Sequence, residues 1–288
     1  MHYAIIANPV SGTLSRSGKK ALLREASRVL DANVFGLDTR TAEELVECGQ
    51  GLAPHYDILI VAGGDGTFSD MINAIDTRQT PVAFLPLGTG NALAYALGYK
   101  GGPAKIAKQI KEGKIHEHDL LDCTGHKRGF MMSAGFDGAV VELYDRYLSR
   151  GYGGFGAYVA GFIDAYFRKY TRTKCRVTID DKTFTMDNLL TLMVVKQPYY
   201  GFGMNVVPGA RFDDGLAHML CINAGLIGCA VGAATAFAGG NRIGEYVTGH
   251  RVEIGTAIPL PLQIDGDFIT EASSFCFQIL PKALRIKY

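Results

Sequence analysis

Residues 57–67 read DILIVAGGDGT, an apolar run that ends in Gly63, Gly64, Asp65, Gly66 and Thr67 before an amphipathic segment begins. Glycines at the end of a buried strand let the backbone take positive φ and approach a ligand closely, so that successive N–H groups face an anion. The helix that follows adds the positive end of its dipole. An aspartate among those donors would repel a bare phosphate. It is consistent with a polyphosphate that brings a magnesium ion, because Mg²⁺ takes carboxylate oxygens and retained waters. An ordinary strand-to-helix turn also favours Gly and Asp, but five specified residues directly after the strand argue for a ligand.

A second such turn follows in AFLPLGTGNALAYALG, where Gly88, Thr89, Gly90 and Asn91 again join a strand to a helix. The first strand ends in Asn8, Pro9, Val10, Ser11 and Gly12, and the second in Asp38 and Thr39. In a parallel sheet, all four turns fall on the edge where ligands of open α/β sheets settle.

The elements that must position these turns alternate in type. Strand signals at 2–8, 33–38, 57–62 and 82–88 are separated by helical spacing at 19–30, 42–51 and 68–75, with further helices at 91–97 and 103–112. Thr41 is placed to cap the second helix, with Glu44 three residues on. This pattern predicts crossover units and a sheet covered on both faces. After about residue 119 the texture changes to short β-branched or aromatic runs near 130–134, 175–179, 183–186, 189–195, 217–222, 252–255, 261–264 and 275–279. Helical segments interrupt them at 139–170 and 224–239. The expected fold is an α/β N-terminal domain with a parallel sheet, residues 1–118, followed by a mainly antiparallel β domain with helical insertions, residues 119–288.

Bulk properties exclude several classes. A net charge of +1 gives no footprint for nucleic acid. The six cysteines have no CxxC pair or metal-ligand spacing, which suits a reducing compartment and packing roles. The N-terminus lacks the pattern of a signal peptide. The apolar segment 224–239 is shorter than a bilayer span and rich in glycine. A cytoplasmic protein is expected, peripheral to the inner face of the membrane at most. No G-x-x-x-x-G-K-[ST] loop, nucleophilic triad or zinc constellation is present. Gly151 to Gly156 fit G-x-G-x-x-G but follow a charged helical segment rather than a strand. In HEHD, His116 and His118 share one face of a strand and read as surface residues.

NPVSG, GGDGT and PLGTGN, in this order and spacing, resemble the diacylglycerol kinase catalytic superfamily, which includes soluble bacterial lipid kinases, sphingosine kinases and ceramide kinases. The resemblance continues through Asp119 in HEHDLLD, the MMSAGFDGAVVELYDRYLSRGYGGFG stretch, PGARFDDGLAHML and QIDGDF, and so spans nearly the whole chain. GGDGT alone is less specific, since NAD kinases share it. The resemblance implies an NAD kinase/diacylglycerol kinase-like fold and transfer of the γ-phosphoryl group of Mg-ATP to a lipid alcohol of diacylglycerol or long-chain-base type. It implies contacts from Asn8, Ser11, Gly12, Thr39, Gly64, Asp65, Gly66, Thr67 and Thr89 to ATP or its metal. Pro9, Gly63, Gly88, Gly90 and Asn91 complete the turns. A structural or regulatory cation held by a carbonyl, an aspartate carboxylate and a second carbonyl in the family corresponds to Arg211, Asp214 and Leu216. The general base falls on Asp267, with Asp265 or a bridging water as the alternative, and Asp65 and Asp119 near it to hold metal or water.

The chain departs from the family at three places. Asp70 and Ser69 stand for Glu and Asn after GGDGT, Ala92 follows Asn91 as in sphingosine kinases, and Asp267 stands for Glu. An NAD kinase-like enzyme and a catalytically silent nucleotide- or lipid-binding protein are the rival readings. The aromatic helix and the 224–239 segment are read first as core, and otherwise as a lipid cleft or a means of reaching the bilayer. Implied partners are the lipid alcohol, a transient membrane surface and a second copy of the chain, since homodimers occur in the family.

Overall fold

The computed structural model describes residues 1–288, which divide into two compact units. The first takes Met1–His118, Tyr200–Gly203 and Lys282–Tyr288, and the second takes Asp119–Tyr199 and Met204–Pro281. A single boundary after residue 118 therefore leaves out two short returns to the first unit, each too brief to carry a pattern of its own.

In the first unit, β1 (Tyr3–Ala7), β2 (Asn33–Phe35), β3 (Ile58–Gly63) and β4 (Val82–Pro86) form a parallel sheet in the order β4-β3-β1-β2. Helices α1 (Arg16–Leu30), α2 (Ala42–Leu52), α3 (Asp65–Ala74), α4 (Ala92–Ala96) and α5 (Pro103–Glu112) lie between and after the strands. Ile5, Ile60 and Leu85 share a core with Leu23 and Ala26 of α1 and Ile106 and Ile110 of α5. On the opposite face Phe84 meets Phe68 of α3 edge-on, with ring centroids 5.3 Å apart. Burial on both faces is why β1 and β3 read as unbroken apolar runs rather than alternating ones.

Local signals set the helix starts. The Ser15 and Thr41 hydroxyls accept the N–H groups of Gly18 and Glu44, and the Glu44 carboxylate accepts the N–H of Arg40. β2 is shorter than expected because Gly36, at φ +83°, turns the chain directly after Phe35. At the other end of the chain Ile286 pairs in parallel with Val82.

The second unit is mostly antiparallel. Its strands are β5 (Ile115–Cys123, which begins in the first unit), β6 (Arg128–Gly129), β7 (Met131–Gly135), β8 (Thr173–Ile179), β9 (Lys182–Leu189), β10 (Thr191–Val195), β11 (Ala217–Ile222), β12 (Glu245–Gly249), β13 (Arg251–Ile264) and β14 (Asp267–Lys287, which ends in the first unit). The main path runs β12-β11-β10-β7-β13-β14, and β8 and β9 branch from β13. The core joins Met132, Val177, Leu192, Met219, Leu262 and Phe277, among others. Helices α6 (Phe136–Ser149) and α7 (Gly154–Asp164) pack together, and a π-helical turn follows at Ala165–Lys169. Gly138 lets α6 press on β13, since a Cβ there would lie 2.3 Å from the Pro261 carbonyl oxygen.

Helix α8 (Leu226–Ala238) buries only Gly232 and Ala236. Ile227 is 82% exposed. Along α7 and the turn after it, Phe155, Val159, Ile163 and Phe167 are all exposed. The core reading holds for one side of the aromatic segment, where Ala157, Gly161 and Ala165 are buried and Phe162, Tyr166 and Tyr170 meet the buried ring of Phe136. It is corrected for the other side and for 224–239, whose apolar residues stand largely outside the core. No helix is long and apolar enough to cross a membrane, and all six cysteines are free thiols.

Candidate active site

Three of the strand-end turns of the first unit are built into one another. Asn8 Nδ2 donates to Thr67 Oγ1 at 2.7 Å, and Ser11 Oγ lies 3.2 Å from the same hydroxyl. The Gly64 N–H donates to Ser11 Oγ at 3.3 Å. The N–H groups of Leu87 and Gly88 both donate to the Gly63 carbonyl, at 2.7 and 3.2 Å. The glycines are needed for this approach. A Cβ on Gly88 would lie 2.6 Å from Gly64 Cα, one on Gly63 2.7 Å from Thr67 Cβ, and one on Gly12, at φ +68°, 2.2 Å from the Leu87 carbonyl oxygen.

Asp65 joins the two glycine turns. It opens α3, and its two carboxylate oxygens accept the N–H groups of Ala92 at 2.8 Å and Leu93 at 3.0 Å, which begin α4. The aspartate in GGDGT therefore caps the helix of the other turn, a duty the sequence reading did not foresee. Gly66 lies in the first turn of α3. Asn91 holds an αL conformation, φ +45°, and donates Nδ2 to the Gly88 carbonyl at 2.7 Å. Its buried Oδ1 has no donor. Pro9 offers its carbonyl to the fully covered Lys19 ammonium at 2.5 Å, and burial holds Lys19 below the ordinary lysine pKa. Thr39 is bound at its own turn, where both its N–H and its hydroxyl donate to the Gly36 carbonyl. A hollow of about 420 Å³ lined by Arg16, Lys20, Arg24 and Asp38 adjoins that turn.

The sequence reading missed Lys19, hidden in a helix rich in other basic residues, and the short return Tyr200–Gly203. The Phe202 N–H donates to the Gly90 carbonyl at 3.0 Å, so this return braces the Gly88–Thr89–Gly90–Asn91 turn. A packed backbone cradle, a buried cation and an orphaned amide oxygen together fit a nucleotide polyphosphate with its metal.

In the second unit, Asp265 and Gly266 form the two-residue turn between β13 and β14, with positive φ at both, as a type I′ hairpin demands. Asp265 Oδ1 accepts the N–H groups of Phe130 and Met131 at 3.0 and 2.9 Å. It is a buried brace rather than a presented carboxylate. Asp267 projects further, with 44% of its side chain exposed and its Oδ2 2.7 Å from Lys127 Nζ. Burial and the Asp267 charge raise the pKa of Asp145 on α6. Sequence reading had not singled out Asp145, whose signal exists only once the helix faces the hairpin.

Asp119, Arg211, Asp214 and Leu216 belong to another cluster, centred on Lys196. The Lys196 ammonium is fully buried and donates to Asp214 Oδ1 at 2.7 Å and the Leu216 carbonyl at 2.8 Å, with Asp119 Oδ2 at 3.1 Å. Asp119 also accepts the Gly215 N–H at 2.8 Å. His218 Nε2 lies 3.0 Å from Asp214 Oδ2, and Nδ1 lies 2.6 Å from the Tyr246 hydroxyl. The Arg211 N–H also points at Nε2, at 3.2 Å, so the ring sits between Asp214, the Arg211 backbone and Tyr246. Burial pushes His218 below 6.5 against the pull of Asp214. Burial alone would raise the Asp214 carboxyl, but Lys196, the Leu216 N–H and His218 hold it below 3.8. Two of the three expected cation ligands, Asp214 and Leu216, thus meet around an ammonium, while Arg211 meets His218 through its N–H, and the oxygens gathered on Lys196 do not fit a metal ion. His118, expected at the surface, is buried, and its ring lies 5.7 Å from that of Tyr288.

An α/β unit whose glycine turns meet at one sheet edge, followed by an antiparallel β unit, defines a nucleotide-dependent kinase fold. Residues 2–123 match the diacylglycerol kinase catalytic domain and residues 130–288 the YegS C-terminal NAD kinase beta sandwich-like domain. The chain belongs to the lipid kinase family of these two domains, a family of phosphotransferases with an alcohol acceptor. It is 24% identical to a "Diacylglycerol kinase" of Staphylococcus carnosus, over 92% of this chain and 88% of that one. It is 29% identical to a "Probable lipid kinase YegS-like" of Pseudomonas aeruginosa, over 92% and 87%. A crystal structure of a diacylglycerol kinase from Bacillus anthracis superposes with a TM-score of 0.77 at 19% identity, covering 100% of this chain and 96% of that one. An NAD kinase from Archaeoglobus fulgidus in complex with ATP superposes at 0.54 and 10% identity, over 100% and 94%. These two likenesses concern the fold.

Proposed function

We propose that this chain transfers the γ-phosphoryl group of Mg-ATP to the hydroxyl of a lipid alcohol of diacylglycerol or long-chain-base type. The observation that carries the reading is the packing of Gly64 against Gly88, which brings the two glycine turns together at one sheet edge. Asn8, Ser11, Gly12, Gly64, Gly66, Thr67 and Thr89 are the proposed ATP contacts, with Lys19 as a fixed positive charge behind them and Thr39 at the neighbouring turn. Asp65 is the residue proposed to face the nucleotide's metal with the lone pairs left by its two N–H bonds. Magnesium, when bound, neutralises charge on the phosphate oxygens.

The chain's own part is positioning and proton transfer. Asp267 accepts the alcohol proton as the new O–P bond forms and the bond between the γ-phosphorus and the β-bridging oxygen breaks, releasing ADP. Lys127 holds the Asp267 carboxylate at the hairpin tip. Asp265, engaged with two backbone amides, fixes that hairpin instead of acting as the base. A lipid alcohol must be met at a bilayer, and the exposed apolar residues of α7 and α8, with exposed Arg168 in the turn after α7, suit transient contact with an anionic surface.

The test is transfer from radiolabelled ATP to lipid alcohols in mixed micelles, with NAD as a parallel acceptor. Labelled lipid with unlabelled NAD is expected. Labelled NAD, or ATP binding with no labelled product, would refute the reading.

A further inference from the structure

We infer that Lys196 is a covalently tethered replacement for a divalent cation, so that the chain holds its 211–216 loop without metal. The inference uses the family reading only for the identity of the oxygens concerned, and it does not depend on turnover.

An alkylammonium has three N–H donors, and Lys196 has three oxygen partners: Asp214 Oδ1, the Leu216 carbonyl and Asp119 Oδ2. Two of these belong to the residues expected to ligate a cation. A divalent ion would need the same oxygens at about 2.0–2.6 Å. It would then sit nearly on top of the ammonium, with strong charge repulsion and no water between. The ammonium has no route of exchange, because its side chain is fully covered and its backbone N–H is bonded to the Phe130 carbonyl at 2.7 Å. Asp119 completes the arrangement by taking the Gly215 N–H, so the same carboxylate grips both the loop and the lysine. The work of a structural ion, drawing two carboxylates and a carbonyl to one point, is thus done by a side chain at the end of β10. Any divalent requirement of this protein then belongs to the nucleotide alone.

The experiment uses the full chain free of nucleotide, with Mg²⁺ or Mn²⁺ as the probe. Melting and equilibrium binding are measured for the wild type, Lys196→Ala and Lys196→Met. The wild type is expected to melt within about 1 °C with either ion or with chelator, and to bind no ion at this loop. Lys196→Ala removes the ammonium and leaves room, so it melts lower and recovers by more than about 2 °C when ions are added. Lys196→Met fills the space without charge, and melts lower with no recovery. A divalent ion bound by the wild type and lost in Asp214→Asn would overturn the inference. So would a folded Lys196→Ala that shows no response to either ion. If neither variant folds, the wild-type binding measurement decides alone.

Discussion

Asp65 offers a sharp test of how the two glycine turns are coupled. Its carboxylate accepts the N–H groups of both Ala92 and Leu93, which would otherwise be orphan donors at the start of the five-residue helix α4. A bond to a charged acceptor is worth about 1.5–3 kcal/mol, and loss of an N-cap costs about 0.5–2 kcal/mol. The site is half-buried, so water recovers part of the loss, and Asp65→Ala should destabilise this turn by about 2–3 kcal/mol. At about 1.4 kcal/mol per tenfold change, amide exchange in a peptide covering residues 88–97 should accelerate by roughly 30- to 150-fold. Asp65→Asn keeps one acceptor oxygen and should show about half that free-energy loss. Hydrogen exchange read by mass spectrometry resolves the peptide, and circular dichroism follows the whole chain, which has no tryptophan to report. If Asp65→Ala left exchange in 88–97 within about twofold of the wild type, the coupling of the turns through this carboxylate would be wrong.

Gly88→Ala should lower ATP affinity by about tenfold or more in a calorimetric titration, because its methyl would lie 2.6 Å from Gly64 Cα and force the turns apart. The His218 pKa is lowered in the folded state, so the stability it contributes is present above the unfolded value of 6.5 and is lost as pH falls through the folded value. Asp214, also lowered, adds a loss at more acid pH, below its unfolded 3.8. Denaturant midpoints from about pH 7 to 5 should therefore fall for the wild type and flatten in His218→Gln. Phe155→Ser combined with Phe167→Ser should weaken sedimentation with anionic vesicles about tenfold or more while leaving ATP affinity unchanged, since both rings are exposed. Unchanged vesicle binding, with a dimer that dissociates in the variant, would assign that face to a second copy of the chain.

The parallel unit was legible because its physics is local. Strands buried on both faces must be uniformly apolar, and Thr41 announces its helix, whereas α1 starts at Arg16 after the Ser15 cap, ahead of the apolar spacing that reveals it. The second unit was harder to read. β13 and β14 are 14 and 21 residues long, yet polar positions such as Thr256, Ser273 and Ser274 and a register shift after Gly255 break their pattern into short runs. β12 escaped notice because EYVTG is mostly exposed. The glycine turns could be located by eye, but not what Asp65 does in them, since its partners are 27 and 28 residues away. Lys196 carried no signal at all. A lysine after a strand reads as a surface charge until β11 and the loop before it close over the ammonium. QIDGDF was legible only as a family motif, and it is the hairpin turn formed by its Asp-Gly pair that separates the braced Asp265 from the projecting Asp267.

The most direct measurement of the central claim is single-turnover transfer from labelled ATP to a lipid alcohol in mixed micelles, comparing the wild type with Asp267→Asn at matched ATP saturation. The account predicts labelled lipid from the wild type and a rate lower by at least about 100-fold in the variant, with nucleotide affinity retained. Equal rates from the two proteins, or label found only on NAD, would contradict it.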